Sequence, residues 1–231
     1  MIYAENILLC ITIPLIVSLF FIHGNVRRYM EAFLTGMGMC LISAYIDGFL
    51  SVATGAGEND TAVFLSPVVE ELMKLLPLLL FMIMFEAEDT MLTMLAVAVG
   101  AGFATFENCC YILTAGAGDL GYVLIRGLAV GVMHIVSILA LSIWFAMAKR
   151  LRVFSLPAVA VGVSIAMIFH ALYNLLVSEP GISTAIGFTL PVNASAGLFL
   201  LYRRMPFGLV GKRNPHIFSE NPADSGEIQE L

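Results

Sequence analysis

Ser66-Pro-Val-Val-Glu-Glu-Leu-Met-Lys-Leu-Leu-Pro77 sits inside an otherwise apolar run from Ala62 to Phe85. That run is long enough to cross a hydrocarbon core of about 30 Å, yet it carries Glu70, Glu71 and Lys74. A charge at the centre of a membrane helix costs about 2.5–3.5 kcal/mol even on the lenient insertion scale, so such groups face a protein interior and have work to do there. The stretch therefore predicts a transmembrane helix whose polar face is turned toward other helices.

Similar runs lie on both sides of it. Spans are predicted from roughly Ile7 to Ile22, Ala32 to Ala53, Ala62 to Phe85, Met91 to Thr114, Tyr122 to Met147, Leu156 to Val177 and Ile182 to Tyr202. Backbone groups in lipid must be satisfied within their own segment, which makes these spans helical. The composition agrees: 60% of the 231 residues are hydrophobic and 12% are charged, against about 25% charged in a soluble domain. An all-α polytopic protein with seven transmembrane helices is predicted, residues 1–205 forming the membrane domain and 206–231 a flexible tail. No Lys or Arg precedes the first apolar stretch, which reads as a retained helix rather than a cleaved signal peptide.

Basic residues set the expected orientation. Arg27 and Arg28 follow the first span, Lys149, Arg150 and Arg152 the fifth, and Arg203, Arg204, Lys212 and Arg213 the seventh. The positive-inside rule makes that side cytoplasmic, with the N-terminus outside and the tail inside. The net charge of −6 comes with no basic stripe, which excludes a nucleic-acid footprint. Cys10, Cys40, Cys109 and Cys110 lie in apolar runs without CxxC spacing and read as packing residues. Trp144 reads as a belt residue, and Arg126 and Asp47 as interfacial groups.

Further polar groups occupy other spans: Glu107 and Asn108 in the fourth, His134 in the fifth, His170 and Asn174 in the sixth. Lys74 is three residues from Glu71 and four from Glu70, within reach of either. At a rise of 1.5 Å per residue, Glu70, Glu107 and His170 fall roughly 10–12 Å from the outer helix ends and His134 about 18 Å. Helices of alternating direction thus bring their polar groups to one level, predicting a single site. Asp47, Glu70, Glu71 and Glu107 outnumber Lys74 and Arg126 by two. Such a surplus cannot stay ionised and unpaired in low dielectric. Either some carboxyls hold protons as general acids or bases, or a divalent cation such as zinc neutralises them, with Glu70, Glu107, His134 and His170 as candidate ligands. Both alternatives fit the residues.

The series Glu70-Glu71-x-x-Lys74, Phe103-x-x-x-Glu107-Asn108 and His170-x-x-x-Asn174, in this order on successive helices, resembles the PrsW family of intramembrane proteases, relatives of the CAAX-prenyl endopeptidases and Abi membrane proteins. The similarity spans about residues 60–180, the expected protease core. It implies a cell-membrane peptidase that cleaves membrane-anchored proteins, in the manner of anti-sigma-factor proteolysis. Glu70 and Glu71 match the paired glutamates, and His170 with Asn174 the last motif. In the CAAX branch a His stands where this chain has Glu107, which leaves His134 to supply the imidazole. The expected mechanism has Glu70, oriented by Glu107 or His134, activate water, His170 and Asn174 stabilise the oxyanion, and Lys74 hold the glutamate pair, with Asn108 in support. The rival class is a proton- or cation-coupled transporter, which also concentrates carboxylates and His at mid-membrane.

Overall fold

The computed structural model describes residues 4–85, 88–115 and 120–204. The predicted tail at 206–231 and Glu86-Ala87 of the acidic loop lie outside them. Among the described residues the chain is all helix, joined by short turns and without strands: α1 (Ala4–Ser18), α2 (Gly24–Thr54), a short α3 (Glu58–Asp60), a π-helical turn (Thr61–Leu65), α4 (Ser66–Met84), α5 (Asp89–Ala115), α6 (Leu120–Arg150), α7 (Leu156–Val177) and α8 (Ile182–Arg204). Five of these, α2, α5, α6, α7 and α8, are long and apolar enough to cross a membrane.

Each of the seven expected spans overlaps a helix, but two of these helices, α1 and α4, do not meet that criterion, for separate reasons. Helix α1 has only 15 residues, ending at Ser18 rather than Ile22. Helix α4 packs three charged residues into 19. Helix α2 departs the other way: it begins at Gly24, eight residues before the apolar stretch. The extra turns carry the Arg27–Glu31 ion pair at 2.9 Å, a solvated extension that hydropathy alone excludes.

Between helices in lipid there is no hydrophobic driving force, so close backbone packing has to hold them together. The α2–α5 seam does this with glycine. A β-carbon at Gly36 would stand 2.1 Å from the Val99 carbonyl oxygen, and one at Gly102 only 1.9 Å from that of Phe33. The resulting core joins Leu78 and Phe81 of α4, Leu92 and Val99 of α5, and Ile138 and Leu141 of α6. On α6, Trp144 packs into the space left by Gly162 of α7 and donates to the Ala158 carbonyl at 2.7 Å. Trp144, expected as a belt residue, thereby joins two helices.

The break before α4 has a chemical cause. In a π-helical turn the carbonyl of residue i accepts from the N–H of residue i+5, as Thr61 does from Ser66. The next partner in that series for Ala62 is Pro67, which has no N–H. Asn174 of α7 fills the gap, its Nδ2 donating to the Ala62 oxygen at 2.8 Å. One side chain thereby ties α7 to the irregular start of α4.

Candidate active site

Helices α4, α5, α6 and α7 each turn a polar stripe toward a common centre. On α4, Glu71 and Lys74 are fully buried and bonded to each other, Nζ to Oε1, at 2.5 Å. The same ammonium reaches His134 Nδ1 at 3.0 Å and Ser137 Oγ at 3.3 Å on α6. His134 Nε2 bonds Glu107 Oε2 of α5, and the other oxygen of Glu107 accepts from Arg126 Nη2 at 3.1 Å. His170 of α7 closes the set through Nδ1, 2.9 Å from Glu71 Oε1. These bonds link five of the predicted site residues with Arg126 and Ser137, and Glu70 lies at their centre. It lies 3.9 Å from His134 Nδ1 and 3.8 Å from His170 Nε2 through Oε2, an atom buried without a hydrogen-bond partner.

The surplus of two carboxylates now has an address. Lys74 is committed to Glu71 and Arg126 to Glu107. Glu70 and Asp47 remain, and each keeps a buried carboxylate oxygen without a partner. Glu70 is the one beside two imidazoles, and one ligand atom from each of Glu70, His134 and His170 lie within 4.8 Å of one another.

The donor set fits a divalent cation. Each imidazole has one nitrogen on a carboxylate, His134 on Glu107 and His170 on Glu71, and the other turned toward Glu70. That is the outer-shell pattern that orients metal-binding histidines and fixes their tautomers. Two His and one Glu also match a known set of catalytic zinc ligands that leaves a position for water. Glu107, also expected as a candidate ligand, lies outside this group of three and bonds the His134 imidazole. The one competing donor is Lys74, since a single lone pair on His134 Nδ1 serves either the ammonium or an ion.

A cavity of about 500 Å³ adjoins this centre, lined by Glu70, Glu107 and His170 and reaching the bundle end at Asn59, Tyr111 and Ser178. Asn174 lines it too, one amide hydrogen spent on Ala62. Asn108 makes none of the network's bonds: it faces Gly131, its Nδ2 4.0 Å from where a β-carbon would stand, and its Oδ1 has no hydrogen-bond partner.

Two contributors to the network are not among the predicted site residues. Arg126, expected to serve the interface, stacks its guanidinium 3.5 Å from the Tyr111 ring centroid while holding Glu107. Ser137 had not been singled out. Both lie on the face of His134, eight residues before it and three after, and that periodicity was the available signal.

A buried, metal-competent Glu/His/His centre beside a cavity, within a bundle of membrane-crossing helices, has the architecture of an intramembrane hydrolase. Residues 25–201 match the family model described as PrsW family intramembrane metalloprotease. The match covers more than half of the chain, and the protein belongs to that family: it is a multi-pass membrane peptidase rather than the transporter of the rival reading. It also takes in α2 and α8, which the resemblance over about 60–180 had left out. No curated protein and no solved structure matches the chain.

Proposed function

We propose that this peptidase cuts membrane-anchored proteins near their outer membrane boundary, in regulatory proteolysis of the anti-sigma-factor kind, using Glu70, His134 and His170 as the ligands of one divalent metal ion. The convergence of two imidazole nitrogens, one from His134 and one from His170, on the unpartnered Glu70 Oε2 carries this reading. When bound, such an ion polarises the scissile carbonyl and makes its water a nucleophile at neutral pH.

The chain's own residues divide the remaining work. Glu71 and Glu107 orient the two imidazoles, and Lys74 and Arg126 balance those carboxylates. Glu70 lines the cavity, and its second oxygen takes the proton from water and returns it to the leaving amine. Asn174 offers its remaining amide hydrogen to the oxyanion, a donor typically worth about 3–4 kcal/mol. His170 was expected to share that task. With Nδ1–H on Glu71 its Nε2 is a lone pair, which suits a ligand and not a donor.

The basic residues support a topology with the N-terminus outside, the cavity toward the outer face and the C-terminal tail cytoplasmic. The transmembrane domain then ends near residue 205.

The test compares purified wild type, Glu70→Gln and His170→Ala. One metal ion per wild-type chain is expected, lost in His170→Ala, together with new N-termini in cell membranes that vanish in Glu70→Gln. A metal-free wild type that still cleaves in the presence of chelator would sink the ligand assignment and leave a glutamate-only hydrolysis.

A further inference from the structure

We infer that the apolar wall of the active-site cavity is a subsite that selects a large apolar side chain, Leu, Met or Phe, on the residue next to the scissile bond. This inference rests on the proposed hydrolytic role of the Glu70 centre and names the class of substrate segment it takes.

The wall is built by three helices. Val130 and Met133 come from α6, Tyr173 and Val177 from α7, and Phe188 from α8, and all five line the same cavity as Glu70 and His170. Helical geometry puts them just above the chemistry. Met133 precedes His134 directly, and Val130 lies four residues from it, about 6 Å at 1.5 Å per residue. Tyr173 and Val177 follow His170 by three and seven residues, about 4.5 and 10 Å, on its own face. A substrate carbonyl held at Glu70 therefore has a neighbouring side chain beside this wall.

Charge and volume point to the same occupant. The five wall residues carry no charge, and Arg126, the charged residue that α6 adds to the cavity lining, is engaged by Glu107 at 3.1 Å. Water occupies about 30 Å³, so a cavity of about 500 Å³ holds far more than the nucleophile.

Phe188 owes its position to its neighbour. A β-carbon at Gly187 would stand 2.7 Å from Val177 Cγ1 and 3.1 Å from Leu176 Cβ, so glycine is what lets α8 approach α7 there. The aromatic ring then packs with Val177 and Tyr173 in one cluster. Helix α8 thus acts as a specificity element although it carries none of the polar residues of the site.

The experiment uses the full chain in proteoliposomes with single-span peptides that differ only at one residue flanking a boundary peptide bond: Gly, Ala, Leu, Phe, Asp or Lys. One methylene in an apolar pocket is worth about 10–200-fold in kcat/KM. Wild type should favour Leu and Phe over Gly and Asp by at least the lower end of that range. Phe188→Ala widens the wall and should move the preference toward Phe; Val177→Phe fills it and should move the preference toward Ala. Cleavage that still depends on Glu70, with the same residue profile in wild type and both variants, overturns the subsite and leaves the protease reading intact. No Glu70-dependent cleavage of any peptide overturns the hydrolytic reading and the subsite with it. Either variant alone decides the point if the other fails to elute as folded protein.

Discussion

Two seams hold this bundle together by opposite means. Along α2–α5, Gly36 and Gly102 let two backbones touch, with no ion pair between the helices among the described residues. Where α4, α6 and α7 meet, Glu71, Lys74, His134 and His170 share one buried network. Both seams face the same lipid, and the first demonstrates that small residues suffice for close helix packing in it. Charges at the second are therefore not needed for cohesion. A buried ion pair is often no more stabilising than the apolar side chains that could replace it. We propose function as the reason to keep it, and the contrast points to the candidate site without reference to any relative.

The largest effect should come from half-breaking the charged seam. Lys74→Met strands Glu71 without a cation, and a loss of about 3–5 kcal/mol is expected in a denaturant titration of the detergent-solubilised protein. Restoring neutrality with Glu71→Leu/Lys74→Met should recover most of that stability and none of the cleavage. A double variant that stays as unstable as Lys74→Met would mean that the network is structural cement after all.

The glycine seam should answer more mildly and in a different currency. Gly102→Ala places a β-carbon where only 1.9 Å separates it from the Phe33 oxygen, so the helices must part. Overpacking of this kind costs about 1–3 kcal/mol. The midpoint of thermal unfolding should fall while the metal content of the folded fraction holds. Equal stability of Gly102→Ala and wild type would show that the contact is looser than its geometry.

Glu107→Gln sharpens the comparison from the other side, because it touches an imidazole's orienting partner and little of the packing. Metal affinity should drop about 10–100-fold with unfolding unchanged, as read by competition with a metal indicator. An unaltered affinity would remove Glu107 from its orienting role and return it to the ligand candidates.

How much of this was legible varied from residue to residue. Glu70, Glu71, Lys74, Glu107, His134 and His170 were all recognisable as one site, because a charge in an apolar span is conspicuous and helical rise gives its depth. Asn174 stands out as a candidate by its spacing from His170, but its bond to Ala62 depends on a π-helical turn before Pro67, which no periodicity announces. Arg126 sat close enough to a helix end to pass for an interfacial group, and only the approach of α5 shows it holding Glu107. Helix α8 carries no charge deep in its span, so nothing in its residues marked Phe188 as a wall of the cavity.

By itself, the amino-acid sequence determined the membrane class, the helical state of the spans and the set of polar groups at a shared depth. Those follow from hydrogen-bond satisfaction in lipid and from the fixed rise of a helix, both local rules. Only the tertiary structure decided which cation serves which carboxylate, which nitrogen of each imidazole faces Glu70, and which helix closes the cavity. Helices that are apolar on nearly every side do not specify their neighbours by hydrophobic pattern. Their lateral order is set by where backbones can approach, at Gly36, Gly102, Gly162 and Gly187, and that is a property of pairs of helices rather than of any one segment.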